Sequence, residues 1–305
     1  MKNLANMLPN AFNHLERVSK REITPCDVMT GFKELDRNLC GFNDGELIVI
    51  GSRPGIGKSS FILNCALKNA QSQVPVIFYS FDFTETQIVR RLMSLASGIN
   101  LTHIGGDILN EEELESLMVS TQGLQKLPLY LESKAPQEIE DLCKHIAEQV
   151  KETGAKIIYI DYLQCLDCKN KDSVEDRFEQ ISLFSRSLKA LARDLEIPIV
   201  VTSQLDNNCQ EPSQFYQRPQ MNDLQNCGTI CSDANLIFLL WRPELYYHSS
   251  ENPEGFNILN QVEVNVIKNN NGFTRYYPLE FDKNTCRFSD WKNEHGIDSV
   301  TMQQK

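Results

Sequence analysis

An apolar run, Glu46–Gly51, leads directly into Ser52-Arg53-Pro54-Gly55-Ile56-Gly57-Lys58-Ser59-Ser60, and a helix-like stretch follows. Few local patterns restrict a fold as strongly. Gly55 and Gly57 let the backbone turn tightly and present its N–H groups to an anion. Lys58 sets a point charge against β- and γ-phosphates, and Ser59 offers a hydroxyl to Mg²⁺. The helix that follows adds its positive end. Strand, loop, helix is the context that a triphosphate-binding loop requires. The pattern asks for glycine at its first position, where this chain has Ser52. An ordinary glycine turn is the competing reading, and the Lys58–Ser59 pair at this spacing argues against it.

The remaining chain alternates short β runs with helical patterns. Strands are predicted at Glu46–Gly51, Val76–Phe81, Leu129–Glu132, Lys156–Asp161, Ile197–Ser203, Leu236–Trp241, Gln261–Ile267 and Tyr276–Phe281. Helices are predicted at Lys58–Ala70, Thr84–Ser97, Asn110–Gly123, Pro136–Thr153 and Ser173–Leu195. Asn110 with Glu113 is a capping-box start. This alternation specifies an α/β fold, a mainly parallel sheet with helices on both faces. The last strands lack intervening helices, and "NNNG" at 269–272 reads as a hairpin turn.

Several strands end in polar residues. "KIIYIDYLQ" places Asp161 at the tip of an apolar strand, where a buried acid has little structural reason to be. "VIFYSFD" ends in Asp82 and "IPIVVTSQ" in Gln204. In a parallel sheet the C-terminal tips share one edge, and ligands bind there. Asp161 is the candidate second support for Mg²⁺ beside Ser59.

The composition is that of an ordinary globular chain: 305 residues, 41% hydrophobic, 23% charged, net charge −11. Such acidity argues against general adhesion to nucleic acid and leaves room for a local site. Met1–Leu8 has no apolar core of a secretory signal, and Leu236–Trp241 is too short to cross a bilayer. A cytoplasmic protein with reduced thiols is expected, with no membrane partner. Cys165/Cys168 and Cys227/Cys231 are spaced like zinc ligands, but the irregular spacing and lack of nearby histidines argue against a metal site.

Residues 1–22 read as an isolated amphipathic helix, with Leu4, Met7, Leu8, Phe12, Leu15 and Val18 on one face. Pro9 suits a first turn, so the ordered helix is expected to begin there. A lone helix is marginal in water, so this face packs on its own domain or on a neighbouring subunit. A linker at 23–30, a large domain at 31–291 and a disordered tail at 292–305 complete the expected organisation.

These blocks together resemble the C-terminal motor domain of DnaB-type replicative DNA helicases, which have the RecA-like ATPase fold. "TGFKELDRNLCGFNDGELIVIGSRPGIGKSSF", "IIYIDYLQ", "SRSLKALARDLEIPIVVTSQL", "DANLIFLLWRPELYY" and "VIKNNNG" match the family's blocks in order, over about residues 8–291. The family's N-terminal helical domain has no counterpart in this sequence. The resemblance implies a hexameric ring that moves along single-stranded DNA using ATP and Mg²⁺, with a primase or loader as a possible partner protein. The first helix then corresponds to a linker helix that docks on the adjacent subunit. Residues 52–60 bind the phosphates, Asp161 supports Mg²⁺, and Gln204 senses the γ-phosphate. Asp82 stands where the family has a water-orienting glutamate, and Lys268 matches a lysine that reaches the neighbouring subunit's nucleotide.

Three departures bear on mechanism. Asp82 is shorter than glutamate by about one C–C bond, ~1.5 Å. The family's arginine finger falls at Asn270, which carries no charge; Lys268, or Arg275 brought close by the hairpin, is expected to take over its task, against the simpler reading of Arg275 as a solvated strand residue. The DNA-facing segments are poor in cations. Asp167–Arg177 has Lys169, Lys171 and Arg177 among four acids, and Asp206–Gly228 has Arg218 and the turn Gln225–Asn226–Cys227–Gly228. Affinity for DNA is therefore expected to be modest, with a shallow salt dependence. Trp241 and Trp291 read as packing residues, and Tyr246–Tyr247 as packing or as the border of a nucleotide base. Besides the helicase, two readings stay open: a slowly hydrolysing, nucleotide-gated ring that holds DNA or protein, and a RecA-type recombination ATPase.

Overall fold

The computed structural model describes residues 3–20, 26–106, 109–167, 177–205, 218–224, 229–247 and 258–292. Its centre is a nine-stranded sheet in the order β3-β2-β4-β5-β1-β6-β7-β8-β9. The strands are β1 Leu47–Ser52, β2 Val76–Ser80, β3 Leu129–Glu132, β4 Ile157–Asp161, β5 Ile199–Gln204, β6 Leu236–Trp241, β7 Gln261–Asn269, β8 Arg275–Asp282 and β9 Arg287–Asp290. The six from β3 to β6 run parallel, and β7, β8 and β9 add on antiparallel. β1, β4 and β6 are buried along their whole length. Helices cover both faces, which is why these strands read as unbroken apolar runs.

The pleat divides the core in two. Ile48 and Ile50 face one core with Phe61, Phe238 and Phe281, whereas Leu47 and Val49 face the other with Ile146, Phe184 and Leu188. The first core lies beneath α2 Lys33–Leu39, α3 Lys58–Gln71 and α4 Glu85–Ser97, the last of which carries a Thr84–Gln87 capping box. Phe61 stacks on Phe32 at 5.5 Å and meets Phe288 edge-on at 5.4 Å, so α3 is held from both sides. Beyond α4 come α5 Leu101–Gly105 and α6 Glu111–Leu124, whose capping box joins Asn110 and Glu113 as expected. The second core lies beneath α7 Ile139–Thr153 and α8 Arg177–Leu195, with α9 Ile230–Asp233 beside α8 and α10 Glu244–Tyr247 after β6. Trp241 is buried and Trp291 half-buried.

The expected elements are corrected in two respects. α1 spans Leu4–Ser19, capped by Asn3, with Pro9 inside rather than at its start. At the sixth helical position Pro9 removes a single hydrogen bond, and the cap supplies the start signal instead. α2, α5, α9, α10 and β9 were not predicted. All are short, and α2 and β9 are held by distant contacts: the Lys33 N–H donates to the Asp290 carboxylate, and the Phe288 N–H donates to Asn64. The predicted start of α8 at Ser173 and the tail after 292 lie outside the described residues.

Candidate functional site

β1 ends in the centre of the sheet, and its tip opens into the phosphate loop. Gly55 and Gly57 take φ of 76° and 116°, left-handed values that penalise any side chain. A Cβ on Gly57 would also lie 3.5 Å from Phe288, so the loop rests on the β8–β9 aromatics. Gly57 precedes α3 without a side-chain cap, and the first helical bond runs from the Phe61 N–H to the Gly57 carbonyl. The N–H groups of Lys58, Ser59 and Ser60 therefore have no acceptor within the helix and suit an anion.

The neighbouring tips close around this loop. β2, β4, β5 and β1 are consecutive in the sheet. Register pairs Ser80 with Asp161 and Ser52 with Gln204, so Asp82, Asp161, Gln204 and the loop share one edge, as the sequence predicts. Asp161 is 1% exposed. Its Oδ1 accepts from Thr202 Oγ1 at 2.6 Å, whereas its Oδ2 is buried with no hydrogen-bond partner. Burial raises the Asp161 carboxyl above the ordinary range; the hydroxyls of Thr202 and Ser59 and the Lys58 ammonium oppose this, and Asp82 adds to it. Burial likewise holds Lys58 below the ordinary lysine value, against the pull of Asp161 and Asp82.

The unpartnered Oδ2 of Asp161, on a carboxyl that the Ser59 hydroxyl also influences, is the observation against which Mg²⁺ is tested. Hard oxygen donors next to a phosphate cradle suit that ion, which is held by one or two protein oxygens together with waters and substrate phosphates. These residues fit. Among the described residues no cluster of three or more His, Cys, Asp or Glu suggests another metal. The described cysteines are free thiols; Cys168 and Cys227 lie outside the described residues.

One participant escaped sequence reasoning. Gln164 donates from Nε2 to the Ser203 hydroxyl at 2.9 Å and to the Gln204 carbonyl at 3.1 Å, and its Oε1 accepts from the Gln204 N–H at 3.1 Å. It ties the turn after β4 to the tip of β5 and orients Gln204. It ends the quoted block "IIYIDYLQ", but its partners are forty residues away and invisible to spacing.

Lys268 lies at the opposite edge. It pairs with Ile237 near the start of β6, four residues from Trp241, or roughly 13 Å along the strand. Its ammonium donates to the carbonyls of Cys231 and Ser232 at 2.8 and 3.2 Å. Arg275 pairs with Val266 at the same end of the hairpin. Its expected approach to Lys268 is corrected by the pleat: Arg275 shares the face of Tyr277 in the first core, whereas Lys268 meets α9 on the other face. Asn270, in the turn, donates its N–H to the Asn235 carbonyl.

Of the candidate DNA residues, Lys169, Lys171, Gln225, Asn226 and Gly228 lie outside the described residues. Arg177 donates to the Gln164 carbonyl at 2.6 Å, close to the strand tips. Arg218 is engaged within the protein: its Nε and one Nη donate to the Glu263 carboxylate at 2.6 and 3.0 Å.

Comparison with known proteins follows the same lines. The family model for the DnaB-like helicase C-terminal domain matches residues 27–290. The replicative DNA helicase DnaB of Geobacillus stearothermophilus is 31% identical over 288 residues, covering 94% of this chain and 62% of the relative. The replicative DNA helicase DnaC of Bacillus subtilis is 28% identical, covering 94% and 61%. This chain thus spans about three fifths of the length of these relatives. A solved ATPase domain superposes with a TM-score of 0.84 at 27% identity, over 96% of this chain and all of that one. A DnaB-like replicative helicase, solved in work on its interactions with primase, gives 0.78 at 29%, over 87% of this chain and 63% of that one. The architecture is RecA-like.

Proposed function

The chain belongs to the DnaB-like helicase C-terminal domain family, and on that premise we propose that it is the ATP-hydrolysing motor of a ring-forming replicative DNA helicase. The observation that carries this reading is the meeting of the phosphate loop, Asp82, Asp161 and Gln204 at one sheet edge, with Lys268 at the other edge and out of reach of the same nucleotide. A ring solves that geometry, because each subunit's far edge then serves its neighbour's phosphates.

In this reading residues 52–60 cradle the ATP phosphates, with Lys58 against the γ-phosphate. Ser59 and Asp161 hold Mg²⁺, which supplies charge neutralisation at the phosphate oxygens. Asp82 orients the attacking water, and Gln204, steadied by Gln164, senses the γ-phosphate. Lys268 from the adjacent copy takes the part that Asn270 has no charge to play. Lys169, Lys171, Arg177, Gln225, Asn226 and Gly228 line the path of single-stranded DNA. A primase or loader is a proposed partner, and the cytoplasm the proposed compartment; among the described residues no helix is long and apolar enough to cross a membrane.

Self-association is supported by α1. Leu4, Met7, Leu8, Phe12 and Leu15 are 50–69% exposed, and burying them is worth on the order of 10 kcal/mol before ordering costs. α6 leaves Leu114, Met118 and Val119 exposed beside Glu111, Glu112 and Glu115, so α1 of one copy on α6 of the next would cover both apolar sets and set Arg17 and Lys20 against the acids.

Asn270 and the short Asp82 favour a second reading, a ring that binds ATP and hydrolyses it slowly. ATP turnover measured with and without single-stranded DNA, with Lys58→Ala as the blank, separates the two. Turnover that rises with DNA supports the motor; tight ATP binding with turnover at the blank supports the gated ring.

A further inference from the structure

Lys268 stands where the β7–β8 ladder has already stopped. The ladder's last pair is Val266 with Arg275; on the other side of β7, Ile237–Lys268 and Leu236–Asn269 continue past the bulge. A side chain on backbone held from one side needs a second attachment to keep a fixed place. That attachment is a hydrogen-bonded junction at the foot of β1 and β6. Asn235, just before β6, exchanges two bonds with Leu47: its N–H donates to the Leu47 carbonyl at 2.9 Å, and its Oδ1 accepts from the Leu47 N–H at 3.1 Å. The same Oδ1 accepts from the Lys189 ammonium of α8 at 2.6 Å, and that ammonium also donates to the Gly45 carbonyl at 2.7 Å. The Asn235 carbonyl accepts from the Asn270 N–H at 3.0 Å. The Asn271 amide donates to Glu46 Oε1 at 2.7 Å, and Glu46 Oε2 accepts from the Asn43 N–H at 3.1 Å. Glu46 is 7% exposed, so both bonds to its carboxylate are made largely out of water, where charge-assisted bonds are strong. Burial holds Lys189 below the ordinary lysine value; Glu46 opposes this, and Arg193 and Lys268 add to it.

Resting on the motor reading, we propose that Glu46, Lys189 and Asn235 are positioning residues: with Asn271 they clasp the turn 269–272 and so set Lys268 for the phosphates of the neighbouring subunit. A lysine ammonium rides on a flexible four-carbon stem. Misplacing such a charge by about 1 Å costs on the order of 10² in rate. Two attachments restrict it here. The Cys231 and Ser232 carbonyls hold the ammonium, and the clasp holds the backbone from which the side chain extends. The anchor is rigid, because β1 is buried along its whole length. The clasp itself needs no contact with a nucleotide. Its Asn271–Glu46 bond joins two side chains, so donor and acceptor can be exchanged. Asn271→Asp combined with Glu46→Gln reverses the bond and still leaves an oxygen for the Asn43 N–H.

Asn271→Asp alone sets two carboxylates against each other at an exposed turn. It should lower kcat for ATP hydrolysis about tenfold while KM stays within about twofold. Adding Glu46→Gln should restore kcat to within about twofold of the parent. In a Lys268→Ala background Asn271→Asp should lower turnover no further, because changes that act through one group do not add. An unchanged kcat in Asn271→Asp, no recovery in the reversed pair, or an equal fall in the Lys268→Ala background overturns the clasp. So does a Lys268→Ala rate equal to that of the parent. A parent whose turnover stays at the Lys58→Ala blank defeats the motor reading instead, and amide hydrogen exchange then decides the clasp. Exchange at residues 268–272 that quickens in Asn271→Asp and slows again in the reversed pair upholds it, and equal exchange in all three proteins overturns it.

Discussion

The two edges of the central sheet are built differently. At the phosphate-loop edge, strands β2, β4, β5 and β1 present a lysine, two carboxylates and an amide in one place. Nearly every group a triphosphate and its metal ask for is there, some at a stability cost, as the buried Asp161 Oδ2 shows. The opposite edge, around the β7–β8 hairpin, has Lys268 bound to the end of α9, a neutral Asn270, and Arg275 on the other face. In the proposed ring the first edge is the binding site, and the second, whose Lys268 is tied to α9 within its own subunit, acts only against a neighbouring copy.

The sharpest way to break this comparison is to separate the edges in different subunits. Lys268→Ala should lower turnover about 10²-fold, as loss of a transition-state charge does, while ATP binding is kept. Mixed with Lys58→Ala subunits, it should regain turnover well above either parent, because an interface between an intact loop and an intact Lys268 reappears. Mixing that restores nothing would show that Lys268 does not act across the interface. A smaller effect is expected at the first edge itself. Asp82→Glu restores about 1.5 Å of reach and should raise turnover roughly tenfold, part of the ~10² that misplacement of this size can cost. An unchanged or lower rate would show that the backbone already compensates.

The smallest effect is on stability. Asp161 has its carboxyl raised by burial, so the folded state binds its proton more tightly than the unfolded state. The resulting penalty is absent below the ordinary carboxyl range, grows as pH rises through the raised folded value, and is constant above it. Asp161→Asn should therefore raise the Tm of the nucleotide-free protein at neutral pH by roughly 2–4 °C, with the gain vanishing in acid, while turnover is lost. A gain that persists unchanged at low pH would mean that packing, not charge, is responsible.

Much of the first edge was legible beforehand. Ser52–Ser60, Asp161 and Gln204 stand in local patterns whose spacing is itself the physics: a tight turn before a helix, an acid where an apolar strand stops. The strand Leu236–Trp241 was predicted to the residue because burial on both faces writes an unbroken apolar run; the half-exposed edge strand Leu129–Glu132 was also predicted to the residue. The second edge was read less well. The hairpin was visible, but the faces that Lys268 and Arg275 take were not, because a bulge between Ile237 and Phe238 shifts the register of β7. Arg218 read as a DNA cation because its counter-ion, Glu263, is forty-five residues away. α2 and β9 were missed because long-range hydrogen bonds, not propensity, hold them.

The sequence alone determined the phosphate loop, the α/β alternation and the acid at the tip of β4, since each is decided by residues within a few positions of one another. Tertiary structure alone decided strand order, the face each cation takes, the grip of Gln164 on Gln204 and the pairing of Arg218 with Glu263. These depend on pairings between distant segments, where side-chain direction follows from register and a charge takes whichever partner the fold brings to it.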